Sequence, residues 1–238
     1  MQRVKRFAIW RPIRGSMTRR HVVASMAAAG LFRPIASVAQ PATCVLTADS
    51  GEGPFYFDPA LVRGDIVDGH PGAPLDLSIE IVSADGCEVL ENARVDVWHA
   101  DGLGLYSGYE RQPGVGGGIS TDVRGQTFLR GTQFTSRSGR VRFSTIYPSW
   151  YGGRTPHVHF KVFLSDREVI AGQIFFPDDV NGEVFSSWDP YRQHVDDRTT
   201  FNRNDMFMVD GALQGVIADV ERSAEGYRAH ATLAVATS

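Results

Sequence analysis

Apolar and polar residues alternate in short runs along most of the chain. In Leu75–Val82, Leu75, Leu77, Ile79 and Ile81 are apolar while Asp76, Ser78 and Glu80 are not. That period of two turns one strand face into a core and the other toward water. Further runs, alternating or continuously apolar and rich in β-branched and aromatic residues, lie at Ala93–Trp98, Arg140–Ile146, His157–Leu164, Val169–Phe175, Val216–Arg222 and Tyr227–Val235. Ser83-Ala-Asp-Gly86 and Pro177-Asp-Asp-Val-Asn-Gly182 read as turns between them. Short strands punctuated in this way predict an all-β sandwich. The polar and aromatic Ser186–Arg198 stretch reads as a short helix at most, or a long loop. No internal repeat or low-complexity linker interrupts the pattern.

The first 39 residues break it. Arg19-Arg20 precede a weakly apolar run, Val22 to Phe32, and the small-x-small triplet Ser37-Val38-Ala39. This predicts a twin-arginine export signal over residues 1–39, with Met17 as a candidate start, and one mature domain over 40–238 in the periplasm or outside the cell. Arg33 and Pro34 cut the run too short to span a bilayer. In such a compartment the only two cysteines, Cys44 and Cys87, read most simply as a disulfide stabilising the fold by about 3–4 kcal/mol. Pro41-Ala-Thr ahead of Cys44 is a poor lipid-attachment motif, so no membrane anchor is expected. A net charge of −3, with no basic block beyond the leader, argues against a nucleic-acid partner.

Candidate chemistry is concentrated between Tyr147 and His159. His157 and His159 stand at i and i+2 on a predicted strand, so both rings leave one face with Cα atoms about 6–7 Å apart, close enough to hold one ion. Zinc sites and iron(II) oxygenase sites draw on Cys or carboxylates, and no Asp or Glu adjoins this pair. Tyrosines do. A phenol loses its proton near pH 10 and is ionised at neutral pH only beside a strongly positive centre. Two phenolates and a hydroxide would neutralise Fe(III) but leave a divalent ion net negative in a poorly solvated pocket, so Fe(III), one per chain, is the expected metal.

Gly53-Pro-Phe-Tyr56, Ala93-Arg-Val-Asp-Val-Trp98-His-Ala-Asp-Gly-Leu-Gly-Leu-Tyr106-Ser-Gly, Ile146-Tyr-Pro-Ser-Trp150, Arg154-Thr-Pro-His157-Val-His159 and Gly172-Gln173-Ile-Phe-Phe-Pro177 follow one another in an order and spacing that resemble the catalytic domain of the intradiol ring-cleavage dioxygenases. The resemblance runs from about Gly51 to Asp178. It implies a β-sandwich with long active-site loops, and Tyr106, Tyr147, His157 and His159 as iron ligands. Arg154 and Gln173 match the arginine and glutamine that flank bound substrate in that family. Tyr109 competes with Tyr106, but Tyr106 has the family's Gly-x-Tyr context. Tyr151 competes with Tyr147; the Ile-Tyr-Pro context favours Tyr147 and leaves Tyr151 to line the pocket mouth or rest on Trp150. His99 reads as a hydrogen-bonded structural histidine, and His70, His194 and His230 have no partners at ligand spacing.

The implied reaction is cleavage of a catecholic ring between its two hydroxylated carbons by O2, giving a cis,cis-muconate-type diacid. Tyr147 is expected to leave the metal and take a substrate proton, while Tyr106 stays bound. Catechol, hydroxyquinol, protocatechuate and lignin-derived catechols all suit this chemistry. The family's cytosolic catechol and hydroxyquinol enzymes carry a helical dimerisation segment ahead of the catalytic domain; only Gln40–Ser50 separates the leader from Gly51 here, so a helical-linker dimer is not expected, although a homo-oligomer of another kind is compatible. The alternative function is a non-catalytic exported β-sandwich that binds aromatics or sugars.

Overall fold

The computed structural model describes residues 44–112, 114–115, 122–208 and 215–237. They belong to the compact unit Gln40–Ser238. The expected leader, with Met17 and Arg19-Arg20, lies outside the described residues.

Two sheets face one another. In chain order the strands are β1 (Pro74–Ser83), β2 (Arg94–His99), β3 (Arg130–Phe134), β4 (Arg140–Ile146), β5 (His157–Leu164), β6 (Arg167–Phe175), β7 (Val216–Ile217), β8 (Asp219–Arg222) and β9 (Tyr227–Val235). One sheet has the order β4-β1-β9-β8 and the other β3-β2-β5-β6-β7. The expected all-β sandwich is what the chain forms. Alternation places Leu75, Leu77, Ile79 and Ile81 of β1 inside, against Val95 and Val97 of β2, Val158, Phe160 and Val162 of β5 and Ile174 of β6. β1 runs antiparallel to β4, with Leu77 opposite Phe143, and parallel to β9, with Leu77 opposite Ala229. β5 lies at the centre of its sheet, His159 between Trp98 of β2 and Gln173 of β6.

Three elements depart from the sequence pattern. The run Val216–Arg222 divides at Ala218: β7 pairs with β6, whereas β8 pairs with β9 in the other sheet. β3 was absent from the pattern because Arg130, Gly131 and Thr132, its buried residues, show no apolar alternation; backbone bonding to β2 holds it at an edge. The segment after Pro177, read as a turn, opens a helix, α1 (Asp178–Ser187). Asp178 and Asp179 in its first turn favour the positive end of the helix dipole, and Val184 and Phe185 anchor it to the core. Ser186–Arg198 otherwise carries only short 3-10 turns at Tyr191–Gln193 and Val195–Asp197. Among the described residues no helix is long and apolar enough to cross a membrane.

Cys44 and Cys87 are joined, their Cα atoms 5.3 Å apart. The disulfide fixes the start of an extended strap, residues 44–67, that crosses from one sheet to the other. Thr47 N–H bonds Ala234 O on β9, Ser50 N–H bonds Ala171 O on β6, and Arg63 N–H bonds Thr132 O on β3.

Candidate metal centre

β5 is buried on both faces. Val158, Phe160 and Val162 enter the sandwich core, so the strand's alternation turns His157, His159 and Lys161 to the opposite face. That face is covered by the strap and by the loops after β2 and β4, and each histidine is only 1% exposed. Trp98 stacks almost flat on the His159 ring, centroids 5.0 Å apart and planes 7° from parallel. Gly53 of the strap sits against the same ring: it has φ +71°, and a Cβ there would lie 3.2 Å from His159 Cε1. Only glycine meets both demands without strain. Lys161 anchors the strap through Glu52, pairs with Glu168 at 2.9 Å and lies 3.9 Å from the centre of the Tyr56 ring. Tyr56 in turn donates to Asp96 at 2.9 Å.

Tyr106 arrives from the turn after β2. Asp101 Oδ1 accepts the Leu103 and Leu105 N–H groups at 2.9 Å each, and the Gln112 side-chain amide pairs with both backbone groups of Tyr106 at 2.6 Å. Phe55 of the strap stacks on the phenol, 4.5 Å between centroids, a contact that contributes about 0.5–1.5 kcal/mol beyond area. Tyr151 arrives on the loop after β4.

Four atoms converge on this face. His157 Nε2 lies 3.1 Å from His159 Nε2, 3.2 Å from Tyr106 Oη and 3.3 Å from Tyr151 Oη. Two donors held about 2.1 Å from one ion at right to tetrahedral angles stand about 3.0–3.4 Å apart, so the set suits a shared cation. His157 Nδ1–H donates to Thr155 O at 2.7 Å, which leaves Nε2 bare as a ligand atom. Burial pushes the phenols of Tyr106 and Tyr151 above their ordinary range, and it pushes both imidazoles well below theirs. Every member is thus neutral by desolvation, and a buried cation is what would draw the phenolic protons off. Among the described residues no three His, Cys, Asp or Glu side chains gather as a metal site. The donor set here instead joins two imidazoles to two phenols.

The structure separates Tyr147 from the histidines. Its N–H bonds Ala73 O, its hydroxyl donates to Asn181 Oδ1 of α1 at 2.8 Å, and its ring rests among Phe176, Phe185 and Tyr227 in the main core. The structure thus does not bring Tyr147, expected as ligand and proton acceptor, to the histidines, and Tyr151 is the second phenol beside His157. The local cause is a tight reversal over Tyr151-Gly-Gly-Arg154: Arg154 N–H bonds Tyr151 O, and Gly153 has φ +80°. A Gly-Gly pair between two residues is a hairpin-turn signal, and it makes Tyr151 and Arg154 neighbours. Read that way, the sequence held the clue.

Arg154 and Gln173 do meet at the site. Arg154 Nη2 donates to Gln173 Oε1, and Nη1 lies 3.5 Å from Tyr151 Oη. Arg154 Nε donates at 3.0 Å to Asp205, a fully buried carboxylate that the sequence pattern had not singled out. Tyr109 is excluded from the donor set, since its hydroxyl donates to Tyr56 O at 2.9 Å. His99 is buried as expected, bonded to Ala100 O and Thr145 Oγ1.

A family profile described as a dioxygenase matches residues 52–207. Chlorocatechol 1,2-dioxygenase of Cupriavidus pinatubonensis is 31% identical over 146 residues, covering 52% of this chain and 52% of its own length. Catechol 1,2-dioxygenase 2 of Acinetobacter lwoffii is 30% identical over 155 residues, covering 59% of this chain and 53% of its own. The chain thus spans about half the length of the curated relatives it matches. The solved intradiol ring-cleavage dioxygenase from Tetranychus urticae superposes with a TM-score of 0.70 at 28% identity, over 81% of this chain and 95% of that one.

Proposed function

The chain belongs to the intradiol dioxygenase family, and from that premise we propose that it cleaves a catecholic ring between its two hydroxylated carbons with O2, yielding a cis,cis-muconate-type diacid. The observation that carries the reading is the convergence of Tyr106, Tyr151, His157 and His159 on one point. These four are the residues proposed to hold the Fe(III) on which this family's enzymes rely. Bound there, Fe(III) would make the catecholate reactive toward O2.

The protein's own groups divide the remaining work. Tyr106 is 1% exposed and locked by Gln112 and Phe55, so it serves as the permanent phenolate. Tyr151, 8% exposed and beside the Arg154 guanidinium, is the phenol free to swing out. Present as a phenolate, its Oη would take a proton from an incoming catechol hydroxyl and become a neutral phenol, the role first assigned to Tyr147. Arg154, with Gln173 at its side, offers fixed positive charge where the anionic ring would lie. Trp98, Phe55 and the strap keep bulk water from the donors.

The test is the visible spectrum of the purified protein. Tyrosinate-to-iron(III) charge transfer is expected to colour it wine-red, and anaerobic catechol to move the band to longer wavelength. A colourless protein carrying stoichiometric iron would sink the reading, and oxygen uptake across catechol, hydroxyquinol, protocatechuate and lignin-derived catechols would then identify the substrate of an active one.

Export by the twin-arginine route to the periplasm belongs to the same proposal, supported by Arg19-Arg20, the apolar run and Ser37-Val38-Ala39. Replacing both arginines by lysine is expected to retain the precursor in the cytoplasm. Undiminished periplasmic yield from that variant refutes the route.

A further inference from the structure

Asp205 lies beyond every motif that pointed to the site, yet its side chain is fully buried beside Arg154. Both carboxylate oxygens are committed. Oδ2 accepts from Arg154 Nε at 3.0 Å and from Thr155 N–H at 2.8 Å, and Oδ1 accepts from Phe207 N–H at 2.9 Å. A carboxylate free to choose takes a guanidinium through two parallel hydrogen bonds. Here one oxygen is withheld by the Phe207 amide. The pairing at Nε leaves Nη2 to Gln173 Oε1 and turns Nη1 toward Tyr151 Oη. Phe207, from the same turn, lays its ring 4.4 Å from the guanidinium carbon. The short segment from Asp205 to Phe207 thus fixes the guanidinium at one edge and across one face. The same Oδ2 holds the Thr155 amide, and Thr155 O is the acceptor that orients His157.

We propose that Asp205 is the positioning residue of this centre: it aims the Arg154 guanidinium at the substrate site and registers it against His157. The proposal rests on the dioxygenase reading for what Arg154 does, but not for the Arg154–Asp205 unit itself.

The experiment is a double-mutant cycle on the full chain with Asp205→Asn and Arg154→Ala, read in two ways. In iron-loaded protein, Asp205→Asn is expected to keep iron content and resting colour while kcat on the catecholic substrate identified by oxygen uptake falls by about tenfold or more and KM moves by less than about threefold. Adding it to Arg154→Ala is expected to cost nothing further in kcat. In iron-free protein, Arg154→Ala leaves a buried carboxylate without its cation, so Asp205→Asn in that background is expected to raise the melting temperature. A smaller loss in kcat, a loss matched by lost iron, or a melting temperature that falls further in the double variant overturns the proposal. Should Asp205→Asn not be recovered folded, Arg154→Lys keeps an ion pair for Asp205 but lacks the planar fork. It is expected to melt close to the parent and still lose about tenfold in kcat; parental kcat overturns the proposal. A parent that cleaves none of catechol, hydroxyquinol, protocatechuate and lignin-derived catechols defeats the functional reading, and the iron-free cycle still decides whether Asp205 and Arg154 act as one unit.

Discussion

Tyr147 and Tyr151 stand one Pro-Ser-Trp apart and bury their phenols in different places. Tyr147→Phe removes the donor to a buried Asn181 Oδ1, so it is expected to cost about 1–3 kcal/mol of stability and leave iron and colour untouched. Tyr151→Phe removes one of the four converging oxygens and nitrogens, and is expected to shift the visible band and slow catechol binding. Metal analysis and spectra of the two variants settle the matter; a colour change in Tyr147→Phe alone would restore the first assignment. His157 and His159 were legible because strand spacing forces them onto one face whatever surrounds them. Tyr151 was legible only through its Gly-Gly turn, and Asp205 not at all, since nothing local marks a carboxylate that meets its partner through tertiary folding. His99 contributes a separate pH dependence. Burial lowers its pKa to about 4, against about 6.5 in an unfolded chain. On acidification the unfolded chain therefore takes up the proton first. The contribution, about 3 kcal/mol, is complete above pH 6.5 and is lost as pH falls toward 4. Urea unfolding of the parent and of His99→Gln at several pH values in that range should show the shallower slope in the variant; equal slopes would exclude His99 as the source.

At the scale of elements, the strap is the piece on which the site depends most. It brings Gly53 to His159, Phe55 to Tyr106 and Glu52 to Lys161. Gly53→Ala combines an unfavourable positive φ with a Cβ pressed on the His159 ring, at a cost of about 1–2 kcal/mol for the backbone alone. The expected result is a folded protein with weakened iron retention, measured by dialysis against a chelator; parental retention would show that the strap yields without disturbing the ring. The core strands could be read from the sequence since one buried face imposes alternation. β3 could not, because its buried Arg130, Gly131 and Thr132 are held by backbone ladders and loops. α1 was hidden by Asn181 and Gly182, turn formers in isolation, and only its docking on the core through Val184 and Phe185 makes it helical.

For the molecule as a whole, the Cys44–Cys87 bridge closes a loop of sequence separation 43, for which the chain-entropy relation gives about 4 kcal/mol. Replacing both cysteines by serine should lower the free energy of unfolding by that order, as read from urea titration, and an unchanged midpoint would mean the bridge adds nothing. The pairing of β1 with β9 carries a different consequence. These neighbours in one sheet come from opposite ends of the domain, and Thr47 Oγ1 also waits for the Ala234 amide. On the ribosome, every donor of the candidate metal centre has been synthesised while the edge of β1 that pairs with β9 is still bare, and such edges recruit other chains. Contacts of this span form slowly. This sheet therefore closes only after β9 has been synthesised, and until then the edge of β1 is open to pairing with another chain.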